Sequence, residues 1–138
     1  MAQWQSMPAG PETLRIAVAD DQPDAAQLMA RLLLVAGYRV VAIAHDGQEA
    51  LDAIRMQTPD VAFLDIGMPR LTGYEVAKQI RTELTPGPYL VAVTGWGTEQ
   101  DRADAISAGF DAHLTKPAAW PDVDALLRSY AGSKRESA

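Results

Sequence analysis

Apolar residues along this chain fall into short continuous runs, separated by longer stretches in which they recur every three or four positions. Val61-Ala62-Phe63-Leu64 is the clearest run, and it ends on Asp65. A run this short and this continuous reads as a strand buried on both faces. Pro69 keeps the strand from continuing, because it donates no hydrogen bond and biases Met68 away from helix. Leu14 to Ala19, Tyr38 to Ala44, Tyr89 to Val93 and Phe110 to Thr115 read as four further strands.

The intervening stretches carry helical spacing and helix-end signals. Pro23 suits a first helical position and Gly37 a C-terminal cap, with Ala25, Leu28, Met29, Leu32 and Leu33 between them. Asp46 with Glu49, and Thr72 with Glu75, resemble capping boxes. The first opens a helix with Ala50, Leu51 and Ile54 that must stop before Pro59. The second opens one with Val76, Ile80 and Leu84. Thr85-Pro86-Gly87-Pro88 is a turn cluster. Thr98 and Asp101 cap a polar helix whose inward face is expected to be Ala103 and Ile106, and Gly109 ends it. So little apolar surface predicts a weakly anchored, mobile element. Pro121 opens a last helix with Val123, Leu126 and Leu127.

Strands that alternate with helices predict an α/β fold, with a parallel sheet, right-handed crossovers and helices on both faces. Five such units are too few for a (β/α)₈ barrel. A doubly wound sheet of order 2-1-3-4-5 is expected. Residues 1–13 read as a loose arm with Trp4 its only large anchor, residues 14–131 as one domain, and residues 132–138 as a short polar tail.

Composition narrows the function. The 138 residues suffice for one domain with a sizeable core. A formal net charge of −6, without a Lys/Arg run, argues against direct nucleic-acid contact. The absence of cysteine excludes disulfides, thiolate metal sites and cysteine nucleophiles, and it fits a reducing compartment. No signal peptide and no membrane-spanning stretch is evident, so a cytoplasmic location without membrane insertion is expected.

The chemistry gathers at the carboxyl ends of the strands, where open α/β sheets bind ligands. The first strand ends in Asp20-Asp21, the third in Asp65, the fourth in Thr94, and the fifth is followed by Lys116. The second contributes only Ala44-His45-Asp46. Each residue alone has an ordinary explanation as a cap, a strand end or a solvated charge. Together they require several coincidences at one sheet edge. Clustered carboxylates repel in a partly buried site, and an oxygen-only donor set favours Mg²⁺ as the resolving cation. With such a cation present, Asp65 can act as a carboxylate nucleophile toward a phosphoryl group. Lys116 and the Thr94 hydroxyl are then placed to stabilise phosphoryl oxygens.

From about Leu14 to about Tyr130, the chain resembles a response-regulator receiver domain of two-component signalling. Asp20-Asp21 resembles the acidic pair that binds Mg²⁺. Asp65-Ile66-Gly67-Met68-Pro69-Arg70-Leu71-Thr72-Gly73 resembles the phosphoacceptor motif D-x-x-M-P-x-x-x-G. Thr94 matches the switch hydroxyl and Lys116-Pro117 the family's Lys-Pro pair, for which a cis peptide is expected. The resemblance implies a flavodoxin-like fold and phosphorylation of Asp65 by a sensor histidine kinase or a histidine phosphotransfer protein. It implies Mg²⁺ held by Asp20, Asp21, Asp65 and the Gly67 backbone carbonyl. It also implies a phosphorylation-dependent face for a downstream protein. Such a domain is no enzyme in the ordinary sense, since it catalyses only its own phosphorylation and dephosphorylation.

Two positions depart from the commoner pattern. His113 stands where receivers usually carry a rotating Tyr or Phe, and it is expected to switch with Thr94. Gly67 offers no side chain to hold a hydrolytic water, whereas Trp96 is large enough to cover the site. The Thr94-Gly95-Trp96-Gly97 loop resembles those of receivers attached to hybrid histidine kinases. A stand-alone regulator and a segment of a longer protein both remain open.

Competing readings fit less well. A haloacid-dehalogenase-like Mg²⁺-dependent phosphatase needs its nucleophile on the first strand in a D-x-D pattern, but Gln22 follows Asp20-Asp21. A flavodoxin-like FMN protein needs a Ser/Thr/Gly phosphate loop where Asp20-Asp21 would repel phosphate. A receiver-like interaction module that is never phosphorylated has no need of the complete residue set.

Overall fold

A computed structural model describes residues 14–95 and 97–137. The expected arm of residues 1–13 and the role of Trp96 lie outside the described residues. The chain forms β1 (Arg15–Ala19), α1 (Pro23–Val35), β2 (Arg39–Ala44), α2 (Gly47–Gln57) and β3 (Val61–Asp65). It continues as α3 (Gly73–Glu83), β4 (Tyr89–Thr94), α4 (Glu99–Ala108), β5 (Ala112–Thr115) and α5 (Trp120–Ser137). All strand pairs are parallel, in the order β2-β1-β3-β4-β5. The expected doubly wound α/β sheet is therefore the observed one.

Alternation along the strands divides the core in two. Ile16, Val18, Val61, Phe63, Val91 and Val93 pack with Ala26 and Leu33 of α1 and Val123 and Leu127 of α5. Ala17, Ala19, Ala62, Leu64, Leu90 and Ala92 face the other way. They pack with Leu51 and Ile54 of α2, Val76 and Ile80 of α3, and Ala105 and Ala108 of α4. The residues of β3 are buried throughout, as their unbroken apolar run predicts.

Helix ends follow the sequence signals closely. Thr72 and Glu75 form a complete capping box on α3. Asp46 accepts the Glu49 amide at 2.8 Å, but Glu49 reaches back to the amide of His45 rather than of Asp46. Gly37 follows α1 at φ 99°, with its amide on Leu34 and the Tyr38 amide on Leu33. This Schellman arrangement buries Tyr38 against Leu33.

Three expectations are corrected. The inward face of α4 is Ala105 and Ala108. Ala103 is exposed and Ile106 is 72% exposed. The reason lies at the helix end, where Gly109 at φ 111° sends its amide to Ile106 and the Phe110 amide returns to Ala105. Burying Phe110 beside Ala105 turns that face inward. Phe110 also precedes β5 rather than opening it, and it joins the α2–α4 side of the core while Ala112 and Leu114 join the other. Finally, the backbone of α5 continues through Ser137, so residues 132–137 extend the helix instead of forming a separate tail.

Candidate functional site

Strand register assembles the acidic cluster. Ala19 pairs with Leu64, and each is followed by an aspartate, so Asp20 and Asp65 emerge side by side. Asp20 and Asp65 are only 8% and 7% exposed, while Asp21 is exposed. Carboxylate oxygens of Asp20, Asp21 and Asp65 all lie within 4.8 Å of one another. This all-oxygen donor set fits a hard divalent cation such as Mg²⁺.

Lys116 reaches the cluster from the far side of the sheet. Thr94 pairs with Thr115 at the ends of β4 and β5, and the Lys116 amide then bonds the Thr94 carbonyl. The Lys116–Pro117 peptide is cis, as the resemblance predicts, and Thr85–Pro86 is cis as well. Lys116 Nζ donates to Asp20 Oδ2 at 2.9 Å and to Asp65 Oδ2 at 3.1 Å. Burial lowers the pKa of this ammonium, but the bonds to Asp20 and Asp65 more than offset that and hold it above the ordinary lysine value. The remaining Asp20 oxygen, Oδ1, accepts the Gln22 amide at 2.9 Å. Asp65 Oδ1 accepts the Gly67 amide at 3.2 Å.

The loop after Asp65 is tied down along its length. The Ile66 amide bonds Val93, the Gly73 amide bonds Ile66, and Met68 is buried. Gly73 is required there, because a Cβ would stand 2.7 Å from the Asp65 carbonyl oxygen. At Gly67 a Cβ would meet no atom of the described residues within 4 Å, so among them that position is open.

Thr94 is 6% exposed, and its hydroxyl lies 3.0 Å from Nε2 of His113. His113 is half-buried on the α4 side of β5. Burial lowers its pKa, Arg102 lowers it further, and Asp101 opposes both. Beside the cluster, an apolar cavity of about 340 Å³ opens between α1 and the turn into α5. Phe63 and Val93 help to line it, with Leu28 and Met29 of α1, and Asp20 and Lys116 border it.

Asp20, Asp21, Asp65, Thr94 and Lys116 thus meet at one sheet edge, as the strand-end reading predicts. His113 meets the edge through Thr94. Sequence reasoning missed His45, whose ring Nδ1 lies 3.2 Å from the main-chain oxygen of Asp20. Its sequence signal was its place at the end of the strand that the expected 2-1-3-4-5 order sets beside β1, but that order does not say which way the ring turns.

Residues 16–128 match the family described as the response regulator receiver domain. The chain is 40% identical over 116 residues to the response regulator MprA of Mycobacterium avium, covering 84% of this chain and 50% of that protein. It therefore spans about half the length of the curated relatives it matches. Among solved structures it is similar to a CheY-like response regulator receiver domain protein from Methanospirillum hungatei. The TM-score there is 0.81 at 26% identity, over 91% of this chain and 98% of that one. It shares its fold with the yeast Ssk1 receiver domain, solved with the histidine phosphotransfer protein Ypd1. That match has a TM-score of 0.83 at 21% identity, over 88% and 91% of the two chains. With its sheet order, its acidic cluster and a family match across nearly its whole length, this chain belongs to the response regulator receiver domains of two-component signalling.

Proposed function

We propose that this receiver accepts a phosphoryl group on Asp65 and uses it to reshape a protein-binding face. The observation that carries the reading is Lys116 Nζ bonded to both Asp20 and Asp65, beside three carboxylates whose oxygens converge within 4.8 Å. An Asp65 carboxylate oxygen attacks phosphorus, the bond from phosphorus to the donor nitrogen breaks, and the donor imidazole leaves. Lys116 then pairs with an equatorial phosphoryl oxygen, and the Thr94 hydroxyl donates to another. Water attack on the same phosphorus releases inorganic phosphate and restores the carboxylate, so the domain catalyses only its own modification and its reversal.

Asp20, Asp21, Asp65 and the Gly67 carbonyl are the proposed Mg²⁺ ligands. Bound there, Mg²⁺ would offset the negative charge that the carboxylates and the incoming phosphoryl group bring together. The proposed donor is a sensor histidine kinase or a histidine phosphotransfer protein. The receiver of Ssk1 bound to Ypd1 supports that class, and the apolar cavity beside Asp20 offers a donor helix an apolar floor. The family supports a cytoplasmic location; no helix among the described residues is long and apolar enough to cross a membrane.

The proposed output face is α4, β5 and α5, centred on His113. Drawing the Thr94 hydroxyl toward the phosphoryl oxygen breaks its contact with Nε2, which frees the imidazole to turn. The low apolar content of α4 makes that element cheap to shift.

The reading is tested by intact-mass spectrometry after incubation with acetyl phosphate. One phosphoryl adduct is expected with Mg²⁺, none with EDTA, and none in Asp65→Asn. An adduct of equal yield in Asp65→Asn or in EDTA overturns it. For the face, amide shifts on adding beryllofluoride are expected across Thr98 to Leu114; shifts confined to α1 overturn it.

A further inference from the structure

The turn from β2 into α2 touches both halves of the site. Both strands of the β1–β2 pair end at this level, with Ala19 against Ala44. The Asp20 amide makes one further rung, to the Ala44 carbonyl at 3.0 Å. The backbone of β2 then turns away into the α2 cap, and the His45 amide is taken by Glu49. The His45 ring supplies the next contact instead, Nδ1 at 3.2 Å from the Asp20 carbonyl oxygen. A carbonyl oxygen can only accept, so Nδ1 must carry the proton. Asp20 is thereby held at its amide, its carbonyl and both carboxylate oxygens.

The next two residues of the turn grip the other half. Asp46 pairs with Arg70 at 3.4 Å, and the Gly47 amide bonds the Pro69 carbonyl at 3.1 Å. Arg70 and Pro69 belong to the loop that follows Asp65. A single three-residue segment, His45-Asp46-Gly47, therefore spans from the Asp20 loop to the Asp65 loop.

We propose that His45 is a positioning residue for the metal-binding carboxylates, setting where Asp20 stands relative to Asp65. The proposal rests on the reading of Asp20, Asp21 and Asp65 as a Mg²⁺ site. Without the ring donor Asp20 keeps its amide and carboxylate contacts but loses the one at its carbonyl, and the peptide that joins it to Asp21 is freer to rotate. Ligands that must then be gathered on binding cost affinity. One net hydrogen bond sets the scale, so a roughly three- to tenfold rise in the Mg²⁺ dissociation constant is expected.

The test is calorimetric titration of the full chain with Mg²⁺ alone, together with its thermal midpoint in EDTA. His45→Ala should weaken binding by that factor. In His45→Asn the amide nitrogen stands at the same bond distance from the backbone as Nδ1, so it should restore affinity. His45→Gln places its nitrogen one bond further out and should not. Equal affinity in wild type and His45→Ala overturns the proposal. So does His45→Asn binding as weakly as His45→Ala while its midpoint in EDTA matches wild type. Absence of Mg²⁺ binding in wild type would instead overturn the metal reading itself.

Discussion

Replacing Gly47 by alanine puts a methyl group into the contact between α2 and the loop after Asp65. The added Cβ would stand 1.9 Å from the Leu71 carbonyl oxygen, 2.5 Å from its carbon and 2.6 Å from its Cβ. Retreating from 1.9 Å to the 3.4 Å at which ordinary contact begins means a shift of about 1.5 Å between two backbones. Neither can yield freely, since the Gly47 amide bonds Pro69 and the Leu71 amide bonds the same carbonyl. Overpacking typically costs about 1–3 kcal/mol. A buried polar group left unpaired costs about the same again, and the two overlap. A net loss of roughly 2–4 kcal/mol lowers the thermal midpoint of a domain this size by roughly 6–15 °C. Gly67→Ala is the control, because none of the described residues comes within 4 Å of its Cβ, and its midpoint should stay within about 2 °C of wild type. Thermal melts followed by circular dichroism, in one buffer with EDTA, decide the matter. A Gly47→Ala midpoint equal to wild type refutes the packing argument.

The space around Gly67, open among the described residues, also allows a side chain that can hold a hydrolytic water. Gly67→Asn is expected to shorten the life of phosphorylated protein by about threefold or more, measured by loss of the mass adduct after the donor is removed. Lys116→Ala removes the cation that joins Asp20 and Asp65 at 2.9 and 3.1 Å. The melt of that variant should fall in EDTA at neutral pH and recover with Mg²⁺ more than wild type does. His113 has a folded pKa below its ordinary value, so the unfolded chain binds the extra proton first. Its contribution to stability is therefore complete above the ordinary histidine pKa and is lost as pH falls through the depressed one. His113→Phe should flatten that part of the stability–pH profile, and an unchanged profile would show that another group titrates there.

The fold was legible because its strands are short, continuous and apolar, a pattern that both-sided burial imposes on a central parallel sheet. Asp20, Asp65 and Thr94 were legible for the same reason, since each lies where such a run stops, and Lys116 was legible from the Lys116-Pro117 pair that follows the more mixed fifth strand. The inward face of α4 was not. Its alanines and one isoleucine offer two nearly equivalent stripes, and the choice is made by burying Phe110 beyond the helix end. His45 was hidden because its partner lies 25 residues earlier in the chain: the expected 2-1-3-4-5 order sets the two strand ends side by side, but not the turn of the β2 backbone that leaves the contact to the imidazole. Arg81 was hidden likewise. Its guanidinium bonds the carbonyls of Gly109 and Pro88 and pairs with Asp111, pinning α3 to the turn that leads into β5.

The central claim is that Asp65 carries the phosphoryl group. An acyl phosphate is reduced by borohydride to an alcohol, whereas free carboxylates are left intact. Protein treated with acetyl phosphate and Mg²⁺, then with borohydride, should yield a peptide in which residue 65 alone has become homoserine. Conversion at Asp20 or Asp21 instead, or no conversion anywhere in a sample that carries the mass adduct, contradicts the account.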